Sequence, residues 1–185
     1  SSQDAFIRFS TDEKRLMLQA LSDIIPAFRP KIRLFTPRSS LDALIHQDKE
    51  EKDTYACRGG LDFFFIDAAK GHAYPCGYRA EDDMGPLWNM TDLPDNEATC
   101  RKCDWECFRD PSELFGPMTT AISSPREMLR KFKARPDFFR LWVEDLRYYL
   151  VCDTFDGTKP MLPDKMARFG LPASNNTLRH PLGKE

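Results

Sequence analysis

Cys57-Arg58-Gly59-Gly60-Leu61-Asp62-Phe63-Phe64-Phe65-Ile66-Asp67-Ala68-Ala69-Lys70-Gly71-His72-Ala73-Tyr74-Pro75-Cys76 is the stretch on which the reading of the fold turns. Residues 61–67 are rich in β-forming aromatics, residues 68–71 are turn formers, and residues 72–74 can return as the second strand of a hairpin. Folding back in this way brings Cys57 and Cys76 toward one point. Downstream, Cys100-Arg101-Lys102-Cys103-Asp104-Trp105-Glu106-Cys107 adds a Cys-x-x-Cys pair, the spacing at which a tight turn aims two sulfurs at a single ion or cluster. Between them, residues 79–99 carry Gly85, Pro86, Pro94, Asp95 and Asn96 and read as an irregular loop.

Working outward toward the N-terminus, residues 6–9 alternate like a short strand, and Ser10 followed by Glu13 has the reciprocal spacing of a capping box. Leu16, Met17, Ala20, Leu21, Ile24 and Ile25 recur at three-and-four spacing, which predicts an amphipathic helix stopped by Pro26. Residues 31–35 read as a second strand, so the order strand, helix, strand predicts a parallel β-α-β unit. Such a pair needs neighbouring strands and covering helices, which are expected upstream. The start at Ser1-Ser2-Gln3-Asp4, without an initiator Met or a secretory pattern, is read as that of a fragment. Ser39 and Ser40 are expected to cap a short helix carrying Leu41, Leu44 and Ile45.

Toward the C-terminus the chain is expected to turn helical past Pro111. Ser124-Pro125 opens one helix with Met128, Leu129 and Phe132 on a face, and Pro136 opens another. In the latter, Phe138, Phe139, Leu141, Trp142, Val143, Leu146, Tyr149 and Leu150 cover more than a narrow stripe, which predicts burial on two sides. From Asp153 on, closely spaced Pro and Gly leave little regular structure. The expected organisation is thus 1–48 as β-α-β plus a short helix, 49–110 as the cysteine-cluster domain, 111–167 as a helical region and 168–185 as an irregular tail.

Composition narrows the function classes. The 185 residues carry a net charge of -2, so there is no basic face to argue for nucleic acid. No apolar run approaches the ~20 residues of a membrane span. Six cysteines are enough for three disulfides in a secreted protein. Five of them fall between positions 57 and 107, however, in a chain long enough to build a core without such staples. The expectation is a soluble protein of the reducing cytosol whose thiols hold metal.

Cys57, Cys76, Cys100, Cys103 and Cys107 are the candidate ligands, and spacing alone leaves tetrahedral zinc and an iron–sulfur cluster open. His72 is a candidate fourth ligand for a zinc site, though strand alternation can turn it away. Arg79, Arg101 and Lys102 lie near the thiols and read first as solvated charge. Trp105 can shield the site from water. Cys152, Tyr148 and Tyr149 read as helix packing, and Asp82 and Asp83 show no spacing that suggests acid–base chemistry.

Cys57-Arg58-Gly59-Gly60, Phe64-Phe65-Ile66-Asp67, Gly71-His72-Ala73-Tyr74-Pro75-Cys76, Leu87-Trp88-Asn89-Met90 and Cys100-Arg101-Lys102-Cys103 together resemble the accessory domain, SPASM or Twitch type, of radical S-adenosylmethionine enzymes. The resemblance implies α/β (α+β) architecture: a short β-α-β remnant of a partial TIM-type barrel, then a β-hairpin cysteine-cluster domain and C-terminal helices. It implies an auxiliary [4Fe-4S] cluster on Cys57, Cys76, Cys100 and Cys103, with Cys107 exchanging with Cys103 or lying just outside. S-adenosylmethionine and a second [4Fe-4S] would belong to the missing upstream part, since Cys-x-x-x-Cys-x-x-Cys is absent here and the run at 100–107 has the two spacings reversed. The implied partners are that upstream barrel and an unknown peptide or small-molecule substrate. The different-class alternative is a non-enzymatic zinc module whose helices bind a partner through Phe138, Phe139 and Trp142.

Overall fold

The computed structural model describes residues 9–46, 54–91, 100, 106–153 and 163–170. Over the described residues it is a helix-rich α+β structure with one two-stranded antiparallel sheet. By contacts it divides into two compact units, Ser1–His46 with Pro136–Glu185, and Gln47–Arg135. Among the described residues no helix is long and apolar enough to cross a membrane.

The first unit is helical. Its α1, Thr11–Phe28, opens with the capping box the sequence announces: Ser10 Oγ accepts the Glu13 N–H at 3.3 Å, and Glu13 Oε2 accepts the Ser10 N–H at 2.8 Å. Pro26 does not stop the helix. Having no N–H, it orphans the Ser22 carbonyl, and Arg38 Nε donates to that oxygen at 3.0 Å, which lets the helix run on to Phe28. The apolar stripe of α1 is only partly buried. Leu18 and Ile25 join Leu41 and Leu44 in a small core, whereas Leu16, Met17, Leu21 and Ile24 are exposed, Leu16 at 72%.

Residues 31–35 are not the expected strand, and residues 6–8 of the first expected strand lie outside the described residues. The backbone of 31–35 finds its partners on a helix instead of a sheet. Tyr148 Oη accepts the Leu34 N–H at 2.8 Å and donates to Ile32 O at 3.0 Å. Tyr149 Oη donates to Phe35 O at 2.8 Å, and Arg33 Nε donates to Cys152 O at 2.7 Å. Both tyrosines and Cys152 lie on α5, Pro136–Cys152, which begins at the predicted proline. Phe138 and Phe139 are 2% and 3% exposed, which makes them core and not the binding face that the zinc-module alternative requires.

The short α2, Arg38–Ile45, starts ahead of Ser39 and Ser40, and its N-cap position is Pro37 with no side-chain cap. Asp145 of α5 fills that role: its Oδ2 accepts both the N–H and the Oγ–H of Ser39 at 2.8 Å. Its other oxygen pairs with Arg29, and both side chains are fully buried. Arg29 also donates to Glu144 at 3.2 Å and lies over the Tyr148 ring at 4.5 Å. The unit closes with the short α6, Pro163–Met166, and a single 3-10 turn, Ala167–Phe169, whose Phe169 ring meets Tyr148 edge-on at 5.5 Å.

The second unit holds the sheet. Its β1, Phe65–Asp67, pairs with β2, His72–Tyr74, in the register Phe65 to Tyr74 and Asp67 to His72, across a turn in which Gly71 has φ +69°. The first strand is shorter than expected because residues 57–63 form a compact turn: Arg58 O accepts from Leu61 and Asp62, and the Gly60 N–H reaches Phe63 O at 2.7 Å. The helix α3, Glu106–Ser123, starts ahead of Pro111 and carries Pro111 and Pro117 inside it, so the tail of the cysteine run is already helical. It is followed by α4, Pro125–Ala134, with Pro125 in its first turn.

Replacing Asp145 with Ala leaves Arg29 charged, buried and without its main counter-ion, and uncovers the first turn of α2. Urea unfolding followed by circular dichroism is expected to show a loss of about 3–5 kcal/mol; a loss under about 1 kcal/mol would show that the pair contributes no net stability.

Candidate metal centre

Three of the five candidate cysteines are described in full, and they come together. Cys57 and Cys76 are buried side by side with Phe108, and Cys100 and Phe63 pack against them. The backbone joins the first and third: residues 57 and 100 form an antiparallel bridge in which the Cys57 N–H donates to Cys100 O at 2.8 Å. Three segments separated in sequence thus each bring a cysteine to one apolar cluster. Cys103 and the side chain of Cys107 lie outside the described residues, as do Arg101, Lys102 and Trp105. Among the described residues, no three His, Cys, Asp or Glu side chains form a group able to hold an ion by themselves.

The position of Cys57 is set by α3. Glu113 accepts the Tyr55 N–H at 3.2 Å, and Arg109, one turn earlier, donates to Tyr55 O at 2.8 Å. The two side chains are fully buried and paired with each other at 2.6 Å. Ser112 Oγ accepts the Arg58 N–H at 2.9 Å and donates to Phe108 O at 2.5 Å. Residues on either side of Cys57 are therefore pinned to the helix whose Phe108 walls the thiols. The Tyr55 ring lies so close to Gly116 that a Cβ there would come within 2.4 Å of it. Burial and the Glu113 charge push the Tyr55 hydroxyl well above its ordinary range.

Lys131 of α4 completes this support. Its Nζ is 3.0 Å from Thr54 O, 3.7 Å from Glu127 and 5.0 Å from the centre of the Tyr55 ring. These groups line a polar cleft of about 250 Å³ with Arg58, Ser112 and Thr119. Its charges are matched internally, Lys131 with Glu127 and Arg58 with Asp62.

The remaining polar candidates are turned to other tasks. His72 Nδ1 is 2.7 Å from Asp83, and Asp83 also accepts the Gly85 N–H at 2.8 Å, so this pair ties the hairpin turn to the following loop. Arg79 is paired with Asp82 at 2.5 Å as half-exposed surface charge. Cys152 is buried at the end of α5, as packing. Sequence reasoning missed the Tyr55 clamp, although Arg109 and Glu113 stand at the four-residue spacing of a helical ion pair, which was the available signal. Comparison with protein-family models, curated proteins and solved structures gave no match.

Two outcomes follow from these contacts. Gly116→Ala forces the Tyr55 ring off α3 and is expected to lower stability by about 1–3 kcal/mol in thermal unfolding, whereas an unchanged midpoint would show that the ring is not seated there. The Gly85 N–H and then His72 hold the Asp83 carboxyl below its ordinary range. A depressed folded value means that the ionised form supports the hairpin loop above the unfolded value, and that this support fades as pH falls through the folded one. The Gly85 amide shift in an NMR titration is accordingly expected to inflect below about pH 3.9, and an inflection at or above that value would show the bond is not kept.

Proposed function

We propose that this chain is the C-terminal part of a radical S-adenosylmethionine enzyme and that it holds an auxiliary [4Fe-4S] cluster. The observation that carries the reading is the shared patch of Cys57, Cys76 and Cys100, three thiols from separate segments walled by Phe63 and Phe108. An all-sulfur donor set in an apolar setting suits such a cluster, whose potential depends on burial and on hydrogen bonds to sulfur. Cys103 is the proposed fourth ligand, and Cys107 the residue that exchanges with it or lies just outside.

When bound, the cluster supplies one-electron transfer. With four thiolates on it no iron stays open, which favours an electron-transfer or structural role over direct substrate binding. The chain's own residues do the rest: α3 fixes Cys57 through Tyr55 and Arg58, and Phe63 and Phe108 pack against the cysteines. Cleavage of S-adenosylmethionine and hydrogen abstraction from a peptide or small-molecule substrate would take place on the upstream barrel. The exposed stripe of Leu16, Met17, Leu21 and Ile24 supports packing of α1 against that barrel, and it carries this part of the reading alone because residues 31–35 are not a strand. The cytosol is the proposed compartment, where such thiols stay reduced.

The same sulfurs suit structural zinc, so the test separates the two metals. Protein purified without oxygen, or reconstituted anaerobically with iron and sulfide, is expected to carry about four iron and four sulfide per chain with broad absorption near about 400 nm. Cys57→Ser, Cys76→Ser and Cys100→Ser should each lose most of that iron, and Cys152→Ser should keep it. One zinc per chain and no sulfide after reconstitution would replace the radical-enzyme reading with that of a zinc module.

A further inference from the structure

Resting on the cluster reading above, we propose that Gly59 is a positioning residue of the metal centre, which both allows the Cys57 turn to close on Cys76 and hydrogen-bonds the Cys57 sulfur. A Cβ at Gly59 would come within 2.6 Å of Pro75 O, 3.4 Å of the Phe108 ring and 3.5 Å of Cys57 Sγ. The first contact is with backbone, which no side-chain rotation relieves, and it lies one residue before Cys76. Only hydrogen fits at this point if the two cysteine-bearing segments are to meet. Gly60 repeats the constraint: its φ is +88°, and a Cβ there would lie 2.9 Å from Pro75 Cβ.

The second half of the role is electrostatic. The Gly59 N–H donates to Cys57 Sγ at 3.4 Å, within the reach of a bond to sulfur. A donor aimed at a thiolate favours its charged form, and at a cluster it stabilises the reduced state, in which the sulfurs carry more negative charge. The geometry holds this donor in place: the Arg58 N–H before it is fixed on Ser112, and the Gly60 N–H after it is fixed on Phe63 O. The N–H between them has no freedom to turn away from the sulfur. Gly59 thereby raises the reduction potential of the group bound through Cys57.

The test uses the full chain, labelled with ¹⁵N-glycine, reconstituted anaerobically with iron and sulfide and reduced with dithionite. Pulsed electron paramagnetic resonance is expected to show a ¹⁵N coupling from glycine in the wild type. That coupling should vanish in Gly59→Ala, with a midpoint potential shifted to more negative values or with iron content at most half that of the wild type. A reduced wild-type cluster with no ¹⁵N-glycine coupling would overturn the proposal, and it needs no variant to fold. So would a Gly59→Ala protein with wild-type iron content and wild-type potential. Failure of the underlying reading is distinguishable, because iron and sulfide would then be missing from the wild type before Gly59 is altered.

Discussion

The second unit depends on a clamp that α3 places on the backbone of one residue, Tyr55. Arg109 and Glu113 are buried together, and between them they take both the carbonyl and the N–H of that residue. A buried ion pair by itself is a doubtful source of stability, since desolvation of two charges can exceed their attraction. Here each charge also makes a hydrogen bond with the buried backbone of Tyr55, and that changes the balance. Among the described residues the segment before Cys57 has no strand beside it to accept these bonds, apart from the bridge between residues 57 and 100. Losing either member of the pair would take the counter-ion from the other and a hydrogen bond from the Tyr55 backbone at once.

The first unit solves the same problem with the same means. Arg29 and Asp145 are fully buried, and Asp145 spends its second oxygen on Ser39 at the start of α2, a helix whose own N-cap is Pro37. Next to them, Tyr148 and Tyr149 serve the irregular backbone of residues 32–35 with their hydroxyls. Both units therefore use charged and hydroxyl side chains from a long helix as substitutes for sheet partners. Beside them lie the apolar clusters of Leu18, Ile25, Leu41 and Leu44 in the first unit and of Cys57, Cys76 and Phe108 in the second.

These long-range substitutions mark the limit of what local sequence pattern discloses. The capping box at Ser10 and Glu13, the hairpin turn at Gly71 and the proline-opened α4 and α5 were legible because each is settled within a few residues. Residues 31–35 have the composition of a strand, but whether they become one depends on a partner, and the partner is a helix more than a hundred positions away. Pro26 reads as a stop only so long as nothing else can serve the Ser22 carbonyl, and Arg38 does. Ser39 looks like a cap by its type, yet its N–H is the group being capped. Of the candidate site, the hairpin that carries Cys76 back toward Cys57 was legible from spacing, while the Tyr55 clamp and the contacts of Gly59 were not, because neither follows from residue type alone.

The way the thiols are held bears on what a bound metal would do. Cys57 lies in a turn, Cys76 follows a three-residue strand, and Cys100 is joined to Cys57 by one backbone bridge. Among the described residues, regular hydrogen-bond ladders contribute little to this geometry. The Cys57 end is anchored on α3 through Tyr55 and Arg58. On the reading proposed above, a bound metal group would add a further link between the Cys76 and Cys100 segments and that anchor, so part of its binding free energy would be folding free energy of the second unit. A cluster bound in this way is coupled to the conformation of its own ligands, and α3 is the rigid element through which that coupling would be felt.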